Sequence, residues 1–193
     1  MLTEKRQGKI NRVVAFRQQG VIVLEDVHDP HNAAAVFRTA EVFGFQKVYL
    51  IFGKETPFNP KKIGKSSSSS ANKWLDYKIY RSTKKCFLDL KKDGYEIIGT
   101  VIDDKAETMF KSKIDHPKIA LVFGNEHQGL SAQATDLLDR KITIPMFGMV
   151  QSLNLSVTAG IFMFEVTRQR NGKKRYLLDR IAKEELASDF ARR

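Results

Sequence analysis

Two polar residues in HNAAAVFRTAEVFG, residues 31–44, stand out on a helix that is otherwise largely apolar. Asn32 carries an amide that can orient a neighbour through hydrogen bonds. Arg38, six positions later, carries a guanidinium that can grip or stabilise negative charge. Ala33, Ala34 and Ala35 between them are small enough for close approach to the backbone. An arginine on an otherwise apolar helix is also an ordinary surface or salt-bridging residue, so this stretch alone decides nothing. A second stretch, LVFGNEHQGLS (residues 121–131), runs a buried-type strand into Gly124, a polar patch containing Glu126, Gly129, and a helix capped by Ser131. Its glycines would let a ligand lie against the main chain. It is neither a dinucleotide fingerprint nor a phosphate-cradling loop. A third, PMFGMVQSLNLSVTAG (residues 145–160), sets Ser152, Asn154 and Ser156 at every second position before an apolar helix. The free N–H groups at a helix start need acceptors, and Ser152 is the expected cap. Capping accounts for one of the three polar residues and leaves two to explain. His28 and His31 have the look of a metal pair, but no third ligand accompanies them, and loop hydrogen bonding is the better reading.

The elements around these stretches predict an α/β fold. A short basic helix is expected over residues 3–18, followed by a buried strand at Val21–Glu25. Asp29 and Pro30 signal a helix start, since Asp caps and Pro suits the first turn. That helix should stop at Gly44. Lys47–Phe52 is the next strand, which completes a βαβ unit. Tyr77–Tyr80 reads as a strand and Thr83–Lys92 as a helix ending near Gly94. YEIIGTVI, IALVFG and KITIP supply three more strands. This alternation predicts a mostly parallel sheet flanked by helices, with ligands beyond the carboxyl ends of the strands. The interruption KIGKSSSSSANKW (residues 62–74) cannot form a core and reads as a linker or a mobile loop over a site.

Composition narrows the function. The chain has 193 residues, a net charge of +11 and one cysteine, Cys86. No apolar run approaches the ~20 residues of a membrane span, and MLTEKRQGKINRVV has no signal-type apolar region. One cysteine excludes an internal disulfide framework and, with four scattered histidines, leaves a structural zinc site without ligands. A cytoplasmic, metal-free, non-membrane protein is expected. The positive charge gathers in residues 1–17 (+4), 54–73 (+4) and 168–193 (+5), around a middle that is slightly acidic. Such segregation points to a polyanion partner such as nucleic acid.

Taken together, Asn32 and Arg38 in the first stretch, Gly124, Glu126 and Gly129 in the second, and Ser152, Asn154 and Ser156 in the third resemble the three motifs of the SpoU-type RNA 2′-O-methyltransferases of the SPOUT superfamily. The resemblance covers nearly the whole chain and is strongest to members that act on guanosine 18 in the D-loop of tRNA. It implies a single domain over residues 1–193, with short basic terminal helices at 1–18 and 175–193 and a C-terminal trefoil knot. It also implies a homodimer and S-adenosyl-L-methionine as cofactor, held by Thr100, Gly124, Asn125, Glu126, Gly129, Ile144, Met146, Ser152 and Leu153. Arg38, Asn32, Glu126, Ser152 and Asn154 would form the reaction centre, with Glu126 in contact with Asn32 or Arg38. Lys61, Lys62, Lys65, Arg168 and Arg170 would meet tRNA. The rivals are 2′-O-methylation of ribosomal RNA, and a catalytically silent RNA-binding protein on the same fold.

Overall fold

Ile22 and Leu24 point into one apolar cluster and Val21 and Val23 into another. This is the two-residue period of a strand buried on both faces. They belong to β1 (Gln18–Glu25), the frame on which the other strands assemble. The computed structural model describes residues 2–63 and 70–193. Its remaining strands are β2 (Phe45–Ile51), β3 (Asp76–Tyr80), β4 (Glu96–Thr100), β5 (Glu107–Thr108), β6 (Ile119–Phe123) and β7 (Arg140–Thr143). They form one sheet in the order β3-β2-β1-β6-β4-β7-β5, and every pairing is parallel. The chain builds outward from β1 to β3, then crosses to the other half of the sheet. That reversal puts the carboxyl ends of β1 and β6 side by side, where open α/β sheets bind ligands.

Helices cover both faces. α2 (Pro30–Val42) and α5 (Leu155–Arg170) pack on the face of Ile22, Leu24, Leu121 and Phe123. α3 (Thr83–Lys92) and α4 (Ala132–Leu137) pack on the face of Val23, Ile51, Ile97 and Val122. α2 starts as its sequence dictates: Asp29 Oδ1 accepts from His31 N at 2.8 Å, and Pro30 opens the first turn. α2 and α5 run parallel. Their N-terminal ends meet at Asn32 and Asn154 (3.1 Å). Near their other ends, Gln18 Nε2 donates to both Phe43 O (2.7 Å) and Thr167 Oγ1 (2.9 Å).

A third apolar cluster joins α1 (Glu4–Ala15) to α6 (Arg180–Arg192) through Ile10, Val14, Leu186 and Phe190. The basic helix expected over residues 3–18 is therefore shorter. Thr3 caps it, and Gln18 already belongs to β1, where its N–H donates to Gly44 O at 2.8 Å. β5, of two residues, had no counterpart in the sequence reading. Most of the serine run, with Lys65, lies outside the described residues.

Candidate active site

The loops after β1, β4, β6 and β7 gather at one end of the sheet. The loop after β6 is closed by its own backbone. Asn125 N donates to Gly129 O and Gly129 N to Asn125 O, both at 2.9 Å. Gly129 has φ +67, which favours glycine. A Cβ on Gly124 would lie 2.2 Å from Gly129 C. Gly124 is thus required for the loop to fold back on itself. The space a side chain would need there is filled by Gly129 and Leu130. Asn125 holds the turn together, accepting from His127 N (2.8 Å) and Gln128 N (3.1 Å). Its Nδ2 donates to Asp26 O (2.7 Å), which ties the loop to the end of β1. Ser131 caps α4, and its N–H and Oγ–H both donate to the buried Glu25 carboxylate (2.9 and 2.8 Å).

Glu126 begins a hydrogen-bonded chain through all three motifs. Its carboxylate accepts from His28 N (2.9 Å), Asp29 N (3.2 Å) and Asn32 Nδ2 (2.9 Å), just ahead of and within the first turn of α2. Burial pushes its pKa up, but the hydrogen bonds from Asn32 and the His28 and Asp29 backbones outweigh burial and leave it below the usual glutamate value. An ionised carboxylate only accepts, so Asn32 must turn its NH2 toward Glu126 and its Oδ1 outward. That oxygen accepts from Asn154 Nδ2 at 3.1 Å. Asn154 Oδ1 then accepts from Ser156 N (2.8 Å) and Ser156 Oγ (2.6 Å). Asn154 is therefore the N-cap of α5. The expectation that Ser152 caps this helix is corrected. The chain leaves the loop so that Asn154 stands over the free N–H groups, while Ser152 faces a cavity.

That cavity, of about 610 Å³, lies between the β6–α4 loop, the end of β4 and the β7–α5 loop. Thr100, Gly124, Asn125, Glu126, Gly129, Ile144, Met146, Ser152 and Leu153 all line it. Ile102, Asp103, Thr135, Lys141 and Thr158 line it too, and the sequence reading had missed them. Ile102 and Asp103 stand two and three residues past the end of β4, so the carboxyl-end rule was the signal available for them. Asn32 and Asn154 stand outside the wall and reach the cavity through Glu126. Arg38 does not join this group within one chain. It is exposed, lies about 9 Å along α2 from Asn32 at 1.5 Å per residue, and does not line the cavity. Val42, one turn further along α2, is exposed too, and so are Val157, Ile161 and Phe164 on α5, the helix packed against α2.

The residues expected to meet RNA divide. Lys61 and Lys62 are exposed, and Arg168 is exposed and ion-paired with Glu165 at 2.7 Å. Arg170 is a correction. It is 4 % exposed, donates to His116 O (2.6 Å) and Gln19 O (3.3 Å), and lies 4.7 Å over the Tyr176 ring. Burial pushes its pKa down to about 10. Its guanidinium holds the fold and is closed to a phosphate. His28 Nδ1 lies 3.3 Å from both Glu55 carboxylate oxygens, and no cluster of three or more His, Cys, Asp or Glu side chains able to hold a metal occurs among the described residues.

Residues 19–164 match the model of the SpoU rRNA Methylase family. The chain belongs to that family. Among curated members it is 34 % identical over 190 residues to the tRNA (guanosine(18)-2′-O)-methyltransferase of Aquifex aeolicus, covering 96 % of this chain and 87 % of that one. It is 32 % identical over 171 residues to the 23S rRNA (guanosine-2′-O-)-methyltransferase RlmB of Haemophilus influenzae, covering 88 % and 68 %. The crystal structure of the A. aeolicus TrmH/SpoU tRNA modifying enzyme superposes with a TM-score of 0.83 at 30 % identity, over 98 % of this chain and 96 % of that one. The SpoU family thus accounts for the sheet, the three motifs and the order in which they converge.

Proposed function

We propose that this protein transfers the methyl group of S-adenosylmethionine to a ribose 2′-hydroxyl of tRNA, with guanosine 18 of the D-loop as the target. The observation that carries the reading is the convergence of nine expected cofactor residues on one cavity, with the reaction motifs hydrogen-bonded behind its wall. The cavity volume falls in the ~300–1,000 Å³ range of cofactor sites. Apolar Ile144, Met146 and Leu153 suit a flat base, and the carboxylates of Glu126 and Asp103 suit a positive charge. When bound, S-adenosylmethionine supplies an electrophilic methyl group on a sulfonium. The protein's task is then alignment of the ribose oxygen.

Glu126, Asn32 and Asn154 are positioning residues that fix the starts of α2 and α5 against the cavity. Arg38 stabilises the forming alkoxide with its guanidinium and holds the adjacent phosphate. It reaches the cavity from a second copy of the chain. The exposed Val42 of α2 and Val157, Ile161 and Phe164 of α5 are the contact surface of a homodimer. Residues 1–193 act as one cytoplasmic methyltransferase domain, in which the return of α5 from β7 to α2 closes a trefoil knot. The basic segments 1–18 and 175–193, with Lys61, Lys62, Lys65 and Arg168, track tRNA phosphates.

Methylation of ribosomal RNA is the second reading, favoured by the similarity to the H. influenzae 23S rRNA enzyme. Bulk tRNA and rRNA incubated with labelled cofactor, followed by mapping of the modified nucleotide, separate the two. Label in rRNA alone overturns the tRNA assignment. Absence of both label and cofactor binding favours a silent RNA-binding protein.

A further inference from the structure

The rim of the cavity on the β5–β7 side is apolar and aromatic. Ile102 lines the cavity and is also largely exposed. Phe110 follows β5. Phe147, Met149 and Val150 belong to the β7–α5 loop, whose Met146 and Gln151 line the cavity on either side of them. Phe110 is 72 % exposed and Phe147 87 %. Their rings lie 6.4 Å apart between centroids and within 12° of parallel. Two aligned phenylalanine rings held in water forgo the burial that apolar surface of this size favours, and an exposed patch of this kind marks a contact surface. None of these side chains takes part in the motif chain described above.

On the reading that the cavity serves 2′-O-methyl transfer to RNA, a ribose must enter this mouth. A nucleotide drawn in by its ribose loses the stacking of its base on its neighbours. The freed base has two flat faces to cover, and RNA-binding proteins cover such faces with aromatic side chains. We infer that Phe147, backed by Phe110, is the stacking platform for the base of the nucleotide being methylated. Charge does not choose this partner. Lys105, Lys111 and Lys141 stand on the same segments without an ion-pair partner among the described residues, while Lys113 and Arg140 are paired with Asp115 and Glu107. Asp103 and Asp104 offset part of that charge. The selecting feature is the pair of π-faces at a mouth that takes a nucleoside.

The test uses the full chain and a tRNA transcript carrying 2-aminopurine at position 18. Binding to the wild type quenches the probe. Phe147→Ala relieves the quench and weakens tRNA binding about 5- to 150-fold, the range of base–aromatic stacking, with cofactor affinity unchanged. Phe147→Trp restores both readouts and Phe147→Leu restores neither. Equal rescue by leucine overturns the platform in favour of a merely apolar contact. A fall in sedimentation coefficient for Phe147→Ala assigns the face to a second copy instead. Loss of wild-type methylation on every RNA tested would sink the reading of the cavity, yet the probe and affinity comparisons would still decide the role of Phe147.

Discussion

Asn154 Nδ2 donates to Asn32 Oδ1 across 3.1 Å, joining residues 122 positions apart in the chain. The direction of this bond is fixed from outside the pair. Glu126 accepts from Asn32, so Asn32 offers its oxygen, and Asn154 must offer its nitrogen. The other end of Asn154 accepts from the first turn of α5, so one side chain caps a helix and registers it against another.

Substitutions at Asn154 separate the two jobs. Asn154→Ala loses the cap and the link, and is expected to lose about 1 kcal/mol of stability, with an upper bound near ~2, together with methylation. Asn154→Asp keeps a capping acceptor but faces Asn32 Oδ1 with another acceptor. Its stability in denaturant should stay within about 0.5 kcal/mol of wild type, while methyl transfer falls as far as in the alanine variant. An aspartate variant with wild-type activity would refute the directional chain.

Much of this arrangement was legible beforehand, for physical reasons. Asp29–Pro30 is a local signal, and α2 begins there. Thr83–Lys92 is bounded by Ser82 and Gly94, and α3 has those limits. The cavity residues lie on loops after strands, where a parallel sheet puts its ligands. The misses depend on tertiary placement. Ser152 and Asn154 are equally good caps by type, and only the path of the preceding loop chooses between them. β5 is too short to show any period. Arg170 looks like one of a basic series in sequence, but Tyr176 and two backbone carbonyls enclose it. Gly124 has no room for a side chain because Gly129 and Leu130 fold back against it, a contact that the glycine spacing alone does not show.

Glu126 makes stability depend on pH. Its folded pKa lies below the unfolded value near 4.5, so its contribution is fully present above that value and is lost as pH falls through the folded pKa. Wild-type protein should lose stability more steeply below about pH 4.5 than Glu126→Gln, which cannot titrate. Denaturant midpoints of both proteins from pH 7 to 3 check this. Parallel curves would mean that the carboxylate is not held ionised by Asn32 and the α2 entrance.

Arg168 and Arg170 should part company. Arg170→Met removes the hydrogen bonds that a buried guanidinium gives to His116 O and Gln19 O, worth up to about 1.5–3 kcal/mol each for a charged donor, so a loss of a few kcal/mol is expected in thermal or denaturant unfolding. Arg168→Ala removes an exposed pair worth at most about 1 kcal/mol, but should weaken tRNA binding and flatten its salt dependence. Over 50–200 mM salt, each lost phosphate contact lowers the slope by roughly 0.7–0.9. An Arg170 variant of normal stability with selectively weak tRNA binding would restore the original expectation for that residue.

Arg38 supplies the sharpest test, because it stands apart from the cavity of its own chain. Arg38→Ala should abolish methylation and leave calorimetric cofactor affinity within about two-fold, less than the ~0.6 kcal/mol of thermal energy. If the guanidinium acts across a homodimer, mixing inactive Arg38→Ala with inactive Asn154→Ala chains produces hybrids in which one of the two sites has every group it needs. Activity should then recover toward about a quarter of wild type for random pairing of chains. Phe164→Glu, which puts a charge among Val157, Ile161 and Val42, should yield monomers in sedimentation and abolish that recovery. No recovery from mixed chains that do form hybrids would mean that each Arg38 serves the cavity of its own chain, by a movement of α2 along α5 that the Asn154–Asn32 bond would have to yield to allow.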